Sequence, residues 1–521
     1  MGSSSVLRRG IVLELFFLLI ITSVAALLRF YRLEMYPPGL HGDEGCIGLD
    51  ALRVLKEGWI GPYVPSALGQ PAGPAYMAAL IFKLFGASHF TVRASVALLG
   101  VLSIPASYFL YRTLFNQRVA ILGVIILTFS YYHIHLSRIA FLPMSLFFTE
   151  VLCLLFLFLG YKTKHIGYFI LAGIFFGLSV YTYHTYPLFT LAVIALLVFK
   201  AIKRAPPLKE FVIQHASFFI LAFITAMPLI IFALQEEGGY LYGHSGVWFF
   251  RDPSYAELAT FPEKAKFLGA RMVRSALVFL KGGEIDYVDA LGATPLLDPL
   301  AELLFIGGVV VCLWKWKDER HFLILVGLGT ALLAAPLTLG AATHTRRMIS
   351  ALPFAAAAAA LLSDQVWAFV AGRLSKRVGY LFAALVVCCI GFYNIRYYFW
   401  DFARAPSTRW VFCADLVESI DYIKSLPSED LYVYFFSDRW SYNYETRQFL
   451  LPQVPGEDRS RQFGTFSLEK ADNHQNVVYL FLPPYERLLE QIKEKYPDGS
   501  YKASGENGSV FSAYFVRADR L

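Results

Sequence analysis

Charge is scarce in this chain. Of its 521 residues only 16% are Asp, Glu, Lys or Arg, against about 25% in soluble domains, so an ordinary water-soluble globule is excluded. Cysteine is sparse as well, and the six residues present have no metal-binding spacing. Cys153, Cys312, Cys388 and Cys389 fall in or beside apolar runs, where a small apolar role suits them. Only Cys46 and Cys413 fall outside, which leaves a disulfide between them open. Internal repeats are absent, and the one low-complexity tract is the alanine run at 355–360, which reads as helix. A clustered basic face is missing too: the cations are scattered over short loops, so a nucleic-acid-binding role is excluded.

What the chain has in quantity is apolar surface. It is 57% hydrophobic with 31 Tyr and 46 Phe, and its mean hydropathy is +0.51. A hydrocarbon core of about 30 Å takes roughly twenty apolar residues per helix. Eleven runs qualify as spans: 10–29, 91–111, 118–136, 143–160, 166–183, 185–200, 211–234, 296–314, 321–340, 348–370 and 378–399. The first follows Arg8-Arg9 like a signal peptide, but it is too long and lacks a small-residue cleavage site, so it reads as a retained helix. The net charge of +7 matters through its placement. With a cytoplasmic N-terminus every inner loop is basic, from Arg112 and Arg118 through Lys162 and Lys164, Lys200 and Lys203, Lys315 and Lys317, to Arg373 and Arg377. That is the positive-inside pattern. It puts 30–90, 137–142, 235–295, 341–347 and 400–521 on the outer face.

The expected architecture is mainly α: a polytopic membrane domain over 1–400 with about eleven transmembrane helices, then a small extracytoplasmic α/β domain over 401–521. In the long first outer loop, a Pro-Gly stretch at Pro37-Pro38-Gly39 leads to an acidic pair and a helix from Glu44 to Lys56. The apolar piece Ala75–Phe85 is too short to span and reads as interfacial. The loop 235–295 carries His244, Trp248, Arg251 and an amphipathic helix around 262–280. In the tail, helices fit 413–425 and 484–495, and strands fit 431–436, 477–482 and 510–516.

Candidate chemistry gathers on the outer side. In His41-Gly42-Asp43-Glu44-Gly45, Asp43 can simply cap the following helix. Capping does not explain two adjacent carboxylates and a histidine at the bilayer surface, where desolvating charge is expensive. A carboxylate there can act as general base on a hydroxyl. His41, Asp43 and Glu44 could also hold a divalent cation. Arg138, after His133 and His135, reads as a snorkelling anchor or a phosphate clamp. The same two readings apply to His344, Arg346 and Arg347, which break the charge bias of every other outer loop. Tyr183 and His184 belong to a polar-aromatic girdle suited to a membrane belt or to sugar stacking. Arg93 opens the second span as an anchor or a head-group contact. Glu150 lies mid-span and reads as a hydrogen-bonded structural acid. Glu284 and Asp286 fit a turn or an acceptor site, and Asn507-Gly-Ser509 matches a glycosylation acceptor.

Three segments then resemble the GT-C membrane glycosyltransferases: Pro37-Pro-Gly-Leu-His-Gly-Asp43-Glu44-Gly, Gln70-Pro-Ala-Gly-Pro-Ala-Tyr76 and Phe90-Thr-Val-Arg93-Ala-Ser. More narrowly they resemble the protein O-mannosyltransferase and lipid A aminoarabinose transferase group. The resemblance covers roughly 10–400. It implies a polyprenyl-phosphate-linked sugar as donor, a hydroxyl acceptor on a protein, lipid or glycan, and an extracytoplasmic active site in a bacterial or archaeal cell membrane. It also implies inverting single displacement with Asp43 as base and Glu44 as its companion. Two departures stand out. No second acid follows Arg138-Ile-Ala-Phe-Leu-Pro143, and Gln70 stands where a basic residue is common. Competing classes are a transporter or lipid-linked sugar flippase, which would favour repeats and broken mid-membrane helices, and a non-catalytic envelope assembly protein. Neither repeats nor broken helices are evident in the sequence.

Overall fold

A computed structural model describes residues 2–203, 208–235, 248–282, 288, 290, 294–338, 344–427, 430–460, 475–482, 487–505 and 510–520. His244, Glu284, Asp286 and the Asn507 acceptor motif lie outside the described residues. The chain opens with α1 (Gly2–Phe30), followed by two loop helices, α2 (Gly42–Glu57) and α3 (Gly73–Phe85). The apolar body continues as α4 (His89–Leu114), α5 (Gln117–Phe129), α6 (Tyr131–Arg138), α7 (Pro143–Thr163), α8 (Ile166–Leu178), α9 (Tyr186–Ile202) and α10 (Leu208–Gln235). Then come α11 (Phe261–Lys281), α12 (Pro299–Trp314), α13 (Glu319–Leu332), α14 (Leu352–Arg373) and α15 (Lys376–Arg396).

Each apolar run seen in the sequence overlaps a helix or a helix pair, although in the 321–340 run the helix ends at Leu332. By length and composition, however, six helices among the described residues can cross a membrane, or seven if one bent pair counts as a span. Helices α8, α9, α12 and α13 have only 13, 17, 16 and 14 residues. At 1.5 Å rise they reach roughly 20–25 Å, short of the hydrocarbon core. Eleven full-length spans are therefore not met.

The bent pair is α5 and α6, which meet at 58°, a broken helix that the sequence reading does not anticipate. The backbone groups freed there are satisfied by protein. Ser130 caps α6 by accepting from the His133 N–H. Arg29, fully buried, donates to the Thr128 and Leu127 carbonyls at 3.3 and 3.4 Å and bonds His133 Nδ1 at 2.7 Å. On the other flank the Tyr131 N–H donates to Asn394 Oδ1 at 2.9 Å, and Asn394 donates to Asp298 Oδ2 at 2.9 Å. Broken backbone is tolerated at membrane depth only when side chains complete it in this way.

The tail contributes α16 (Pro406–Val411), α17 (Ala414–Lys424), α18 (Glu445–Leu450) and α19 (Arg487–Lys495). The described strands number seven. The first two, β1 (Tyr63–Val64) and β2 (Gln70–Pro71), form an antiparallel hairpin inside the first loop. The others, β3 (Leu431–Phe436), β4 (Gly456–Asp458), β5 (Asn476–Phe481), β6 (Ser500–Ser504) and β7 (Phe511–Val516), build one sheet in the order β4-β3-β5-β7-β6. Strand β3 runs parallel to β4 and β5, whereas β7 is antiparallel to β5 and β6. Strand β5 reads as a continuous apolar run because both of its faces are covered, whereas β3 leaves Tyr432 and Tyr434 half-buried on one face.

This tail unit docks on α2 through a stripe of glycines. Gly42, Gly45 and Gly48 recur every third residue, which puts them on one helix face. A Cβ at Gly42 would stand 2.4 Å from the Tyr444 hydroxyl. At Gly45 it would stand 2.8 Å from the Glu445 and Thr446 backbone, and at Gly48 2.6 Å from the Phe449 ring. The Thr446 hydroxyl also donates to the Leu40 carbonyl at 2.9 Å. Helix α18 thus lies against bare backbone of α2. Gly45→Ala should cost about 1–3 kcal/mol, because backbone cannot swing aside as a side chain can. Thermal unfolding in detergent and faster proteolysis of the tail would read the effect.

Candidate active site

The acidic pair opens α2, and its two members differ in environment. His41, not Asp43, caps the helix: the Asp43 N–H donates to His41 Nδ1 at 3.1 Å. The His41 N–H in turn donates to Glu44 Oε2 at 3.0 Å, a reciprocal arrangement of the capping-box kind. Because Nδ1 is an acceptor, the neutral imidazole proton sits on Nε2. The His41 Nδ1–Asp43 Oδ2 separation of 3.8 Å is too long for a hydrogen bond.

Glu44 is fully buried and saturated. Oε1 accepts from Arg93 Nε at 2.8 Å and from the Ala140 N–H at 2.8 Å; Oε2 accepts from Arg93 Nη2 at 2.9 Å as well as from His41. Arg93 is equally spent, since its remaining N–H groups donate to the Leu33, Pro37 and Gly39 carbonyls at 3.0, 2.8 and 2.6 Å. All five guanidinium donors are therefore used within the protein. Arg138, also fully buried, donates to the carbonyls of Tyr36, Leu28, Tyr31 and Arg32 at 2.7–3.1 Å. These are carbonyls at and beyond the end of α1, the groups a helix leaves unpaired.

The sequence expectations for these three residues need correction. Glu44 cannot join catalysis as a free carboxylate. Arg93 and Arg138 are not open to a head group or a phosphate; they hold the first loop in shape. The proposed metal set fails for the same reason, because Glu44 is saturated and His41 Nδ1 is occupied. Among the described residues no three His, Cys, Asp or Glu side chains converge on a point that could hold a metal ion.

Asp43 is different. Its side chain is 47% exposed, and its neighbours come from the tail. The Tyr444 hydroxyl stands against Gly42, and Tyr444 lies in the fields of both Asp43 and Glu445. Burial first, then the charges of Glu445, Asp43 and Asp50, pushes the Cys46 thiol up to about 12. Cys46 and Cys413 are both buried free thiols. Nothing in the tail's sequence pointed to Tyr444 or Glu445; the only signal was the glycine spacing of α2, which announces a close neighbour.

Arg346 approaches from the other side. The Phe141 ring is shared: His41 meets its edge at 5.2 Å between centroids, and the Arg346 guanidinium sits 5.6 Å from its centre. Arg346, with Arg347, rides the 3-10 turn Thr345–Ala351, which is fixed by a Ser350 hydroxyl donating to Glu150 at 2.7 Å. Glu150 is thus the structural acid its position suggested. His344 precedes the same turn. His184 meets Tyr63 of β1 edge-on at 6.5 Å, and Tyr183 stands beside His184 at 6.0 Å between ring centroids. Loop helix, hairpin, girdle and arginine turn therefore share one end of the bundle.

A cavity of about 810 Å³ opens nearby, walled by Tyr36, Gly39, His89, Arg404, Arg409 and Lys424 among others. Asp43 is not in its wall.

The two acids should respond oppositely to neutralisation. Glu44→Gln leaves Arg93 buried without its counter-charge and should cost about 3–5 kcal/mol of stability. Asp43→Asn should leave the unfolding midpoint unchanged. Thermal unfolding of both variants in the same detergent makes the comparison.

Residues 69–232 match the family model for dolichyl-phosphate-mannose-protein mannosyltransferase. No curated protein matches the chain by sequence. The crystal structure of ArnT from Cupriavidus metallidurans bound to undecaprenyl phosphate is similar, with a TM-score of 0.58 at 14% identity, covering 95% of this chain and 97% of that one. The archaeal oligosaccharyltransferase AglB from Archaeoglobus fulgidus, in complex with an inhibitory peptide and a dolichol-phosphate, gives a TM-score of 0.53 at 14% identity, over 96% of this chain and 74% of that one. At such identity the likeness is one of fold, which this chain shares with ArnT and AglB.

Proposed function

We propose that this protein moves a sugar from a polyprenyl-phosphate donor to a hydroxyl acceptor at the membrane's outer face, with Asp43 as the general base. The observation that carries the reading is the split of the acidic pair: Glu44 is consumed by the scaffold while Asp43 is held in a fixed place, 47% exposed. The family match over 69–232 and the undecaprenyl- and dolichol-phosphate ligands of the two similar structures favour a lipid-phosphate donor.

In this mechanism the Asp43 carboxylate takes the acceptor's hydroxyl proton as that oxygen attacks C1 of the sugar. The C1–O bond to phosphate breaks, its electron pair leaves with the polyprenyl phosphate, and C1 inverts. The leaving group departs as a phosphate anion and needs no general acid. What it needs is positive charge placed in advance. With Arg93 and Arg138 committed within the protein, that task falls to Arg346, which stands against the Phe141 ring that His41 also meets, and to Arg347 beside it on the same turn. His184, edge-on to Tyr63 of the first-loop hairpin, and the neighbouring Tyr183 border the sugar in this reading. The extracytoplasmic placement follows from the basic loops at the opposite end of the bundle.

Membrane vesicles given a radiolabelled polyprenyl-phosphate sugar and an acceptor extract provide the test. Asp43→Asn should lower transfer by roughly 10²–10⁴-fold, and Arg346→Gln by roughly 10²–10³-fold, both at wild-type expression. Equal transfer by Asp43→Asn and the parent protein would refute the assignment of the base.

A further inference from the structure

The other end of the bundle carries a second organised site. Helix α4 begins beside Glu44 and ends at Leu114, whose carbonyl accepts from Arg320 Nη1 at 3.2 Å. With 26 residues it is about 39 Å long, so its two ends are a bilayer apart. There, a pocket of about 480 Å³ is enclosed by the end of α4, the end of α7 with Tyr161 and Lys162, Lys203 after α9, and the segment Lys317–Arg320.

Its charges are sorted. Arg320 grips Asp318 with contacts of 2.5 and 2.9 Å. That grip holds the Asp318 carboxyl well below the usual carboxylate range, so the pair stays ionised and internally neutral. Lys200, buried to 5% exposure, pairs with Glu319 at 2.5 Å and lies 3.8 Å over the Tyr161 ring. Both acids of the wall are thereby cancelled. What is left over is Lys162, Lys203 and Lys317, all exposed, with Lys203 Nζ tied to the Lys317 carbonyl. Beside them the chain turns large apolar groups outward: Ile202 is 76% exposed, Trp314 87% and Trp316 50%. Tryptophans of this kind sit at the boundary between head groups and acyl chains.

We propose that this pocket binds the head-group phosphate of an anionic phospholipid from the leaflet opposite the active site. Three ammonium groups that meet no carboxylate among the described residues supply the charge that a phosphodiester needs, and the flanking Ile202, Trp314 and Trp316 supply the apolar bed for its acyl chains. Basic pockets between helices on the inner side of a membrane take such head groups. Zwitterionic lipids bring their own cation and gain little there. None of the three lysines belongs to the proposed reaction, so the site stands or falls independently of Asp43.

The test uses the full-length protein in nanodiscs of equal parts phosphatidylglycerol and phosphatidylcholine, extracted into mild detergent, with retained lipid counted by native mass spectrometry. Wild type should retain phosphatidylglycerol selectively. The K162Q/K203Q/K317Q variant should lose that selectivity, at roughly fivefold per lysine, while K162R/K203R/K317R keeps it and shows that the fold survives substitution. Equal retention of the two lipids by wild type, or undiminished selectivity in the glutamine variant, would overturn the proposal. So would displacement by millimolar inorganic phosphate, which would assign the pocket to a small free anion instead of a lipid.

Discussion

The fold around the candidate site depends on one buried ion pair, Glu44 with Arg93. Taking both charges from water is expensive, and the cost is recovered only when every lone pair and proton finds a partner. Here that condition is met: the carboxylate accepts from His41, Ala140 and twice from Arg93, and the guanidinium spends its other donors on Leu33, Pro37 and Gly39. Three segments far apart in sequence are joined at one point. The pair also decides what Asp43 can do. Successive residues on a helix point about 100° apart, so locking Glu44 inward turns its neighbour outward.

Arginine serves here mainly as a cap for main-chain carbonyls. Arg29 completes the break between α5 and α6, Arg138 closes the end of α1, and Arg93 gathers the loop behind it. This is why the sequence left Arg93 and Arg138 open to head-group or phosphate roles. A planar fork of donors fits a phosphate and a set of carbonyls equally well, and the acceptors exist only once the chain is folded. Arg346 and Arg138 look alike in sequence; the fold separates the turn-borne residue facing Phe141 from the one sealed under Tyr36.

Much of the architecture was legible because its signal is local. Apolar runs place the helices, and β3, β5 and β7 fall within a residue of the strands read from the tail's apolar segments. The break at Ser130 was hidden because Phe129, Tyr131 and Tyr132 keep the run apolar across it, while its stabilising partners, Arg29 and Asn394, lie about a hundred or more residues away. Short helices such as α8 and α13 look like spans by composition, since hydropathy reports environment and not length. The role of the tail was invisible for the opposite reason. It has no motif, and its contact with α2 is written in the absence of side chains at Gly42, Gly45 and Gly48.

That absence has a mechanical consequence. Where two elements meet through side chains, rotamers can absorb a small shift of one against the other. Where main chain rests on main chain, as at Gly45 against Glu445 and Thr446, no such slack exists. The helix bearing Asp43 and the Tyr444–Phe449 segment of the tail are therefore held at a fixed spacing. With Asp43 as the proposed base, that spacing bears on catalysis, since a misplacement of about 1 Å can cost roughly 10²-fold in rate.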